Sequence, residues 1–199
     1  MSIGIIGAGA IGSAFAAALA RAGIPAIVAN RRGPDSLDEL VEDLGPSISA
    51  GTRAEAAGAD IVLVAVNWSN LPEALADLPD WDGRIVIDAN NPVESPDFRT
   101  FALNGRTSSE VFAEFVPNAR VVKALNHLQP HLIARDPCAE GGRRALFYAG
   151  DDAGAKSQVN DLINRLGFFG VDLGCLRVGG KLIEFPGGNL TAHNLCSFD

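Results

Sequence analysis

The sequence predicts an α/β protein built on a doubly wound parallel sheet. Short apolar runs alternate along the chain with segments whose apolar residues recur every three or four positions, as strands and helices do. The run from 61 to 66 is apolar throughout, which is typical of a parallel strand covered on both faces. The first run leads directly into three closely spaced glycines and a helical pattern.

These glycines form the pattern Gly7-x-Gly9-x-x-Gly12. In a dinucleotide site, the first glycine allows a tight turn, the second lets the pyrophosphate approach the backbone, and the third lets the helix pack on the strand. The N–H groups that begin the helix then hold the phosphates. The alternative is a glycine-rich turn without a ligand, but the strand–turn–helix context favours a Rossmann-type site. The expected cofactor contacts are Gly7, Ala8, Gly9, Ala10, Ile11 and Gly12.

The remaining elements continue the alternation. Helices are predicted at 11–22, 37–44, 54–57, 71–78, 108–115 and 152–166. Strands are predicted at 26–29, near 48, and at 61–66, 84–88, 120–125, 146–149 and 169–173. We therefore expect a dinucleotide-binding Rossmann domain over residues 1–125 and a short α/β C-terminal extension over 126–199, packed on it as one unit.

The turn after the second strand predicts the type of cofactor. A site selective for NAD places an acidic residue there to bind the ribose 2′-hydroxyl. This chain has Asn30, Arg31 and Arg32 instead, and the guanidinium groups can pair with a 2′-phosphate or stack on adenine. The turn thus favours NADP(H), with Asn30, Arg31, Arg32 and Ser36 as contacts. A solvated basic turn, with Asp35 or Ser36 capping the next helix, is the alternative.

Ligands of doubly wound sheets bind beyond the carboxyl ends of the strands. Besides the two turns above, those ends carry Ala65, Val66, Asn67, Trp68, Asn90, Asn91, Asn126 and His127. We expect Ala65, Val66, Asn67 and Asn90 near the cofactor, and Trp68, Asn91, Asn126 and His127 in a substrate pocket. Trp68 could instead belong to the core, and His127 could be structural. No metal site is predicted, because His127 and His131 lack the glutamate of an HExxH motif.

Composition excludes several classes of protein. The net charge of −8 argues against a general nucleic-acid binder. No apolar stretch is long enough to span a bilayer and no signal-peptide pattern is present, so a cytoplasmic protein is expected. The three cysteines form no C-x-x-C pair and are expected to be buried free thiols.

Four motifs in this order and spacing resemble a known family. They are Gly7 to Gly12, Asn30 to Pro34, Asp88-Ala89-Asn90-Asn91-Pro92 and Val121 to Asn126. Together they resemble the coenzyme F-420-dependent NADP reductase family, whose relatives include the reductase domain of the six-transmembrane metalloreductases. The likeness continues through Gly141 to Arg144, Gly150 to Asp152 and Leu166 to Phe168. Asn67, Asn90 and His127 depart from the residues common in that family.

The resemblance implies an NADP-dependent oxidoreductase that transfers a hydride between nicotinamide and a 5-deazaflavin, coenzyme F-420, as co-substrate. Such a transfer needs positioning of two rings rather than an acid–base pair, and the sequence shows no such pair. The resemblance also implies a homodimer, and it places Asn90, Asn91, Asn126 and His127 against the second ring. The alternatives are an NADPH-dependent flavin, metal-chelate or imine reductase, and a non-catalytic NADP-binding sensor.

Overall fold

One mixed sheet organises the chain in the computed structural model, which describes residues 1–94, 97–139 and 141–198. Its strands are β1 (Ile3–Ile6), β2 (Ala26–Ala29), β3 (Ile48–Ala50), β4 (Ile61–Val64), β5 (Ile85–Asp88), β8 (Arg120–Ala124), β9 (Arg143–Gly150), β10 (Phe169–Asp172) and β11 (Cys196–Ser197). The order is β10-β9-β8-β5-β4-β1-β2-β3, with β11 paired to β9. A separate hairpin joins β6 (Val93–Glu94) to β7 (Arg99–Thr100).

Helices connect the strands. They are α1 (Ala10–Arg21), α2 (Asp38–Leu44), α3 (Arg53–Ala57), α4 (Leu71–Leu75), α5 (Ser108–Phe112), α6 (Pro130–Ala134) and α7 (Ala153–Arg165). Short 3₁₀ turns cover Pro34–Leu37, Trp68–Asn70 and Ala113–Phe115, and a π-helical turn covers Leu176–Gly180. Of the helices in the described part of the chain, none is both long and apolar enough to cross a membrane.

Local sequence explains where several helices begin. Thr52 and Glu55 form a capping box at the start of α3, and Thr107 and Glu110 form another at α5. Asp152 caps α7 by accepting a hydrogen bond from the backbone N–H of Ala155. By contrast, α1 begins after Gly9 without a side-chain cap, so the N–H groups of its first turn remain available to a ligand.

Buried side chains cover both faces of the central strands. Alternate residues of β4 belong to opposite clusters: Ile61 and Leu63 pack with α1, whereas Val62 and Val64 pack with α3 and the α4 region. This explains why the sequence of β4 is apolar at every position. The sheet therefore has a helical layer on each side, as the sequence predicts.

The structure corrects three details of the prediction. The sheet is parallel from β3 to β8, but β9 runs antiparallel to β8, and β10 is parallel to β9. The strand predicted at 61–66 ends at Val64, so Ala65 and Val66 lie beyond the sheet. The helix predicted at 71–78 ends at Leu75, where the backbone turns extended at Ala76.

The C-terminal segment joins the same sheet as the rest of the chain. β9 pairs with β8, β10 and β11, so residues on both sides of position 125 share one set of strands. The expectation of buried thiols is wrong for two cysteines, because Cys138 and Cys175 are exposed. Both lie in segments that connect the strands and helices.

Candidate functional site

The glycine turn between β1 and α1 is shaped by two close backbone contacts. Gly7 has a φ of +110°, and a Cβ there would lie 2.1 Å from the Ala65 carbonyl oxygen. A Cβ on Gly12 would lie 1.8 Å from the Gly7 carbonyl oxygen. A Cβ on Gly9 would meet nothing within 4 Å. Gly7 and Gly12 are therefore required by packing, whereas the absence of a side chain at Gly9 leaves open space in front of the helix.

That open space belongs to a cleft of ≈ 600 Å³ beyond the carboxyl ends of the strands. The cleft is lined by Gly7, Gly9, Ala10, Ile11, Ala65, Val66, Asn67, Asn70, Ala89, Asn90, Asn91, Val93, Phe98, Asn126, Pro130 and Phe185. We call the part around Gly7, Gly9 and Val66 the glycine end. The part around Asn91, Phe98, Asn126 and Phe185 is the aromatic end. Among these described lining residues, none carries a titratable side chain.

A smaller pocket of ≈ 120 Å³ continues from the glycine end toward the end of β2. Asn30, Arg31, Arg53 and Glu73 line it, together with Gly7, Val66 and Asn70 that also border the cleft. Arg31 lies 3.5 Å from the Glu73 carboxylate, and both side chains are exposed. Arg53 is held by the carbonyl oxygen of Ala74 at 3.0 Å. The pocket therefore joins two guanidinium groups to the cleft and suits a phosphate at its mouth.

Asn30 and Ser36 shape the turn that presents Arg31. The Asn30 Oδ1 accepts the backbone N–H of Arg32 at 2.8 Å, and its Nδ2 donates to Ser36 Oγ at 2.9 Å. Ser36 donates in turn to the Gly33 carbonyl oxygen at 2.7 Å. Arg32 lines neither the pocket nor the cleft, so the structure brings only the first of the two predicted arginines to the site.

Asn90 ties the ends of two neighbouring strands together. Its Oδ1 accepts the backbone N–H of Val66 at 2.9 Å, and its Nδ2 donates to the Val64 carbonyl oxygen and to Asp88 Oδ1. Asn90 is buried, and these contacts occupy its amide. It therefore positions the backbone of 64–66 at the cleft instead of presenting a free side chain to a ligand.

A buried ion pair lies under this turn. Lys123 Nζ lies 3.1 Å from Asp88 Oδ2 and donates to the Asn90 carbonyl oxygen at 2.9 Å. Ser109 donates to the same carboxylate oxygen at 2.7 Å. Both charged side chains are fully buried, so each depends on the other for compensation.

Two side-chain amides join the strand ends to the C-terminal segment. Asn91 Nδ2 donates to the Asn126 carbonyl oxygen at 2.8 Å, and Asn126 Nδ2 donates to Asn91 Oδ1 at 2.9 Å. Asn126 Nδ2 also donates to the Ile183 carbonyl oxygen, and the backbone N–H of Phe185 donates to Asn91 Oδ1 at 2.9 Å. This pair of asparagines therefore places Phe185 at the wall of the cleft.

Trp68 and His127 lie away from the cleft. Trp68 packs in the apolar cluster that includes Leu71, so the core alternative describes it better than a substrate platform. His127 is 3% exposed, and its Nε2 accepts the backbone N–H of Phe147 at 3.3 Å. Burial, with a smaller contribution from the positive charge of Lys123, lowers the pKa of His127 to about 3. The ring is therefore neutral, and the expected contact between His127 and the substrate is not supported by its position.

The position of His127 has a structural reason. Along that edge of β9, β8 pairs with residues from Tyr148 onward, while β11 pairs with Arg143 and Arg144. The N–H of Phe147 falls between these two partners, and His127 Nε2 accepts it. The imidazole thus replaces a strand carbonyl in the hydrogen-bond ladder.

Comparisons with known proteins agree with this geometry. The family model described as NADP oxidoreductase, coenzyme F-420-dependent, matches residues 2–92. A hypothetical protein from Sinorhizobium meliloti has a solved structure with a TM-score of 0.93 and 43% identity, covering 99% of this chain and 96% of that one. The chain belongs to the coenzyme F-420-dependent NADP oxidoreductase family. The family resemblance found in the sequence is thus confirmed.

Other similar proteins share less sequence identity with this chain. A solved Arthrobacter protein described as an F-420-dependent NADP reductase is 28% identical, with a TM-score of 0.70 and coverage of 88% of this chain and 86% of that chain. A reductive aminase from Aspergillus terreus shares the fold at 20% identity and a TM-score of 0.62, covering 87% of this chain and 55% of that one. The curated metalloreductase STEAP2 of Mus musculus is 22% identical over 194 residues, and the match spans 36% of its length.

Sequence reasoning missed several residues that border the candidate site. They are Arg53, Asn70, Glu73, Val93, Phe98, Pro130 and Phe185. Asn70 follows a strand end and could have been found by extending the search a few residues into the next helix. Phe98 and Phe185 lie in a hairpin loop and in the C-terminal tail, where no periodic pattern marks an inward direction. Among the described residues, no group of three potential metal ligands lies together.

Proposed function

We propose that this protein transfers a hydride between the nicotinamide of NADP(H) and a 5-deazaflavin of the coenzyme F-420 type. The observation that carries the proposal is the lining of the cleft. It runs from the phosphate-binding turn to an aromatic wall and consists of backbone, apolar and amide groups, with no titratable side chain among the described lining residues. Such a cleft suits a reaction between two bound rings.

When bound, the two ligands would supply the chemistry, with C4 of the reduced nicotinamide as hydride donor, C5 of the deazaflavin as acceptor, and water as the source of the proton for a ring nitrogen of the deazaflavin. The protein then needs no general acid for the hydride step. The apolar groups of Ala65, Val66 and Val93 exclude water from the cleft, and Asn90 holds the backbone that carries Val66. The Asn91–Asn126 pair keeps the opposite wall in place.

We further propose that the glycine end holds the pyrophosphate and that the adjoining pocket holds the adenosine ribose with its 2′-phosphate. Gly9 leaves space at the start of α1, where the N–H groups lack a side-chain cap. Arg31 and Arg53 supply positive charge beside the pocket. The Arg31–Glu73 contact is exposed, so a phosphate can compete with the carboxylate for this guanidinium at small cost.

Three observations support the deazaflavin over other acceptors. The family description and the Arthrobacter relative at 28% identity both name F-420 dependence. The imine-reducing neighbours with about 20% identity share the fold only. Reduction of an imine also requires a proton on nitrogen, for which the described lining of the cleft offers no donor acid.

The test is an acceptor comparison with purified protein and NADPH. We expect loss of the NADPH absorbance band with F-420, and much slower loss with free flavins, ferric chelates or a cyclic imine. Turnover only with one of those other acceptors would replace F-420 in the proposal. Tight NADPH binding without turnover of any of them would favour the sensor alternative.

One variant locates the reaction within the cleft. Replacing Asn126 with Leu should depress turnover with F-420 much more than it weakens NADPH binding, because Asn126 lines the aromatic end. Gln129→Leu is the matched control, since this exposed residue does not line the cleft. Equal loss of NADPH affinity and turnover in Asn126→Leu would contradict the placement of the acceptor.

We also propose the homodimer that the family resemblance implies. Sedimentation equilibrium of the purified chain tests it directly. A single species with the 20.7 kDa mass of one chain across the accessible concentration range would overturn it.

A further inference from the structure

One side-chain carbonyl oxygen at the aromatic end has no hydrogen-bond donor among the residues that the structure describes. Both amide hydrogens of Asn126 are used, by Asn91 Oδ1 at 2.9 Å and by the Ile183 carbonyl oxygen, and these contacts fix the orientation of the amide. Asn126 Oδ1 is buried and accepts no hydrogen bond from the described residues. Asn126 is 7% exposed and lines the cleft. A buried acceptor of this kind is costly unless a ligand donates to it.

An aromatic pair stands at the same end of the cleft. The rings of Phe98 and Phe185 have centroids 5.9 Å apart and meet edge to face at 81°. Phe98 is 61% exposed and has a φ of +51°, in the left-handed region that a bulky side chain rarely adopts. A large apolar ring that is held exposed at the rim of a cleft is a candidate for ligand contact.

The same asparagines connect these two features. The Phe185 N–H donates to Asn91 Oδ1, and Asn91 Oδ1 also accepts from Asn126 Nδ2. The contact that orients the Asn126 amide therefore also holds Phe185 at the same end of the cleft. The apolar surface of the two phenylalanines lies at the same end of the cleft as the Asn126 acceptor. This combination suits a flat ring that carries an N–H on its edge.

We infer that Phe98, Phe185 and Asn126 Oδ1 form the recognition site for the hydride acceptor, in which a planar heteroaromatic ring packs against the phenylalanine pair and donates an edge N–H to Asn126. This inference rests on the proposed function and specifies the acceptor class. A pyrimidinedione ring, which both deazaflavins and flavins contain, has such an imide N–H. Small aliphatic imines and metal chelates lack this combination, so the site would select against them.

The test measures binding without turnover. Oxidised 5-deazariboflavin is titrated into protein saturated with NADP⁺, and its fluorescence reports the dissociation constant. Its N3-methyl derivative, which lacks the imide N–H, is titrated in parallel. We expect the derivative to bind about tenfold more weakly, which corresponds to about 1.4 kcal/mol. Equal affinity for the two ligands would overturn the role of Asn126 Oδ1, and with it the inference.

Protein variants test the aromatic wall. Phe98→Ala should weaken deazariboflavin binding by about tenfold, since base–aromatic stacking is worth about 1–3 kcal/mol, while Phe98→Tyr should retain it. Phe198→Ala is the matched control, because Phe198 is 77% exposed and does not border the cleft. NADP⁺ affinity and circular dichroism should be unchanged in all three. Binding by Phe98→Ala that equals the control would also overturn the inference.

These measurements separate the inference from the proposed function. If the unmodified protein gives no hydride exchange with F-420 but ring binding depends on Phe98 and on the N–H, the proposed function fails and the recognition site stands. If exchange is fast but ring binding depends on neither, the proposed function stands and the recognition site is wrong. Loss of NADP⁺ affinity in an Asn126 variant, with no effect of N-methylation, would assign the oxygen to the nicotinamide carboxamide instead.

Discussion

The two ends of the cleft are built by different means. At the glycine end, neighbours in sequence form the binding surface from backbone, and the closeness of Gly7 and Gly12 requires the absence of side chains. At the aromatic end, side-chain amides join residues that are 35 and 94 positions apart. The family model covers residues 2–92, which include the whole glycine end but neither Phe98, Asn126 nor Phe185. The family model thus covers the residues of the glycine end, whereas the aromatic end depends on long-range contacts that lie partly outside it.

The largest expected effect is a loss of stability when the buried Lys123–Asp88 pair is broken. Lys123→Met removes one partner of the buried pair and leaves the Asp88 carboxylate uncompensated under the Asn90 turn. We expect the free energy of unfolding to fall by about 3–5 kcal/mol in urea titrations. Lys156→Met is the matched control, because its pair with Asp172 is partly exposed and should lose about 0–1 kcal/mol. Equal losses in the two variants would show that the buried pair is dispensable.

The next effect concerns the glycine end. Gly9→Val places a branched side chain in open space of the cleft without a clash inside the protein. The fold should survive, while NADPH affinity falls by about 100-fold or more, which is about 2.7 kcal/mol. Calorimetric titration and circular dichroism measure the two quantities. Gly154→Val, on the exposed surface of α7, is the control. Normal NADPH binding by Gly9→Val would show that the phosphates do not bind at this turn.

A smaller effect comes from pH acting on His127. Its pKa is about 3 in the fold, against the ordinary value of 6.5, so the unfolded chain binds a proton that the folded chain excludes. Stability from this residue is therefore present above pH 6.5 and is lost as the pH falls toward 3. From pH 6.5 to 5 we expect a loss of about 1.5 kcal/mol in the free energy of unfolding.

The comparison variants for this pH effect are His127→Gln and His193→Gln. The first should flatten the slope between pH 6.5 and 5, whereas the second, at an exposed histidine, should keep it. Carboxylates with lowered pKa values, such as Glu55 and Glu110, start from an ordinary value of 4.5 and act below this window. An unchanged slope in His127→Gln would mean that the imidazole is not excluded from protonation.

The smallest expected effect is the difference in affinity between NADPH and NADH. We expect NADPH to bind at least about tenfold more tightly, a difference of about 1.4 kcal/mol. Arg31→Ala should remove most of that difference while NADH affinity stays nearly constant, because Arg31 lines the pocket. Arg32→Ala should have less effect, since Arg32 does not line it. The expectation fails if the unmodified protein binds both cofactors equally well, or if Arg32→Ala has the larger effect.

The sequence predicted most of the fold because the relevant signals are local. Strand β2 has its predicted bounds, and α1 lies within one residue of the helix predicted at 11–22. The direction of β9 could not be read, since an apolar run carries no information about which neighbour it pairs with. The hydrogen-bond ladder decided it, with Val122 opposite Gly150 and Lys123 opposite Ala149.

The site was predicted unevenly for a related reason. Spacing rules brought Gly7, Gly9 and Asn126 to one cleft, because strand ends of one sheet meet at one edge. The same rule placed His127 there wrongly, since the neighbour of a cleft residue can point into the sheet, where β9 required an acceptor. Phe185 reaches the cleft through a hydrogen bond to Asn91, which no local pattern encodes.

The tie between Asn91 and Phe185 has a consequence for the order in which the chain acquires its properties during synthesis. Residues up to 92 include the glycine turn, β5 and the Asn90 contact to the Val66 backbone. The opposite wall requires residues that leave the ribosome more than 90 positions later, given the separation of 94 between Phe185 and Asn91. The residues that form the glycine end are therefore synthesised well before those that complete the aromatic end, so the two walls of one cleft are assembled at different times.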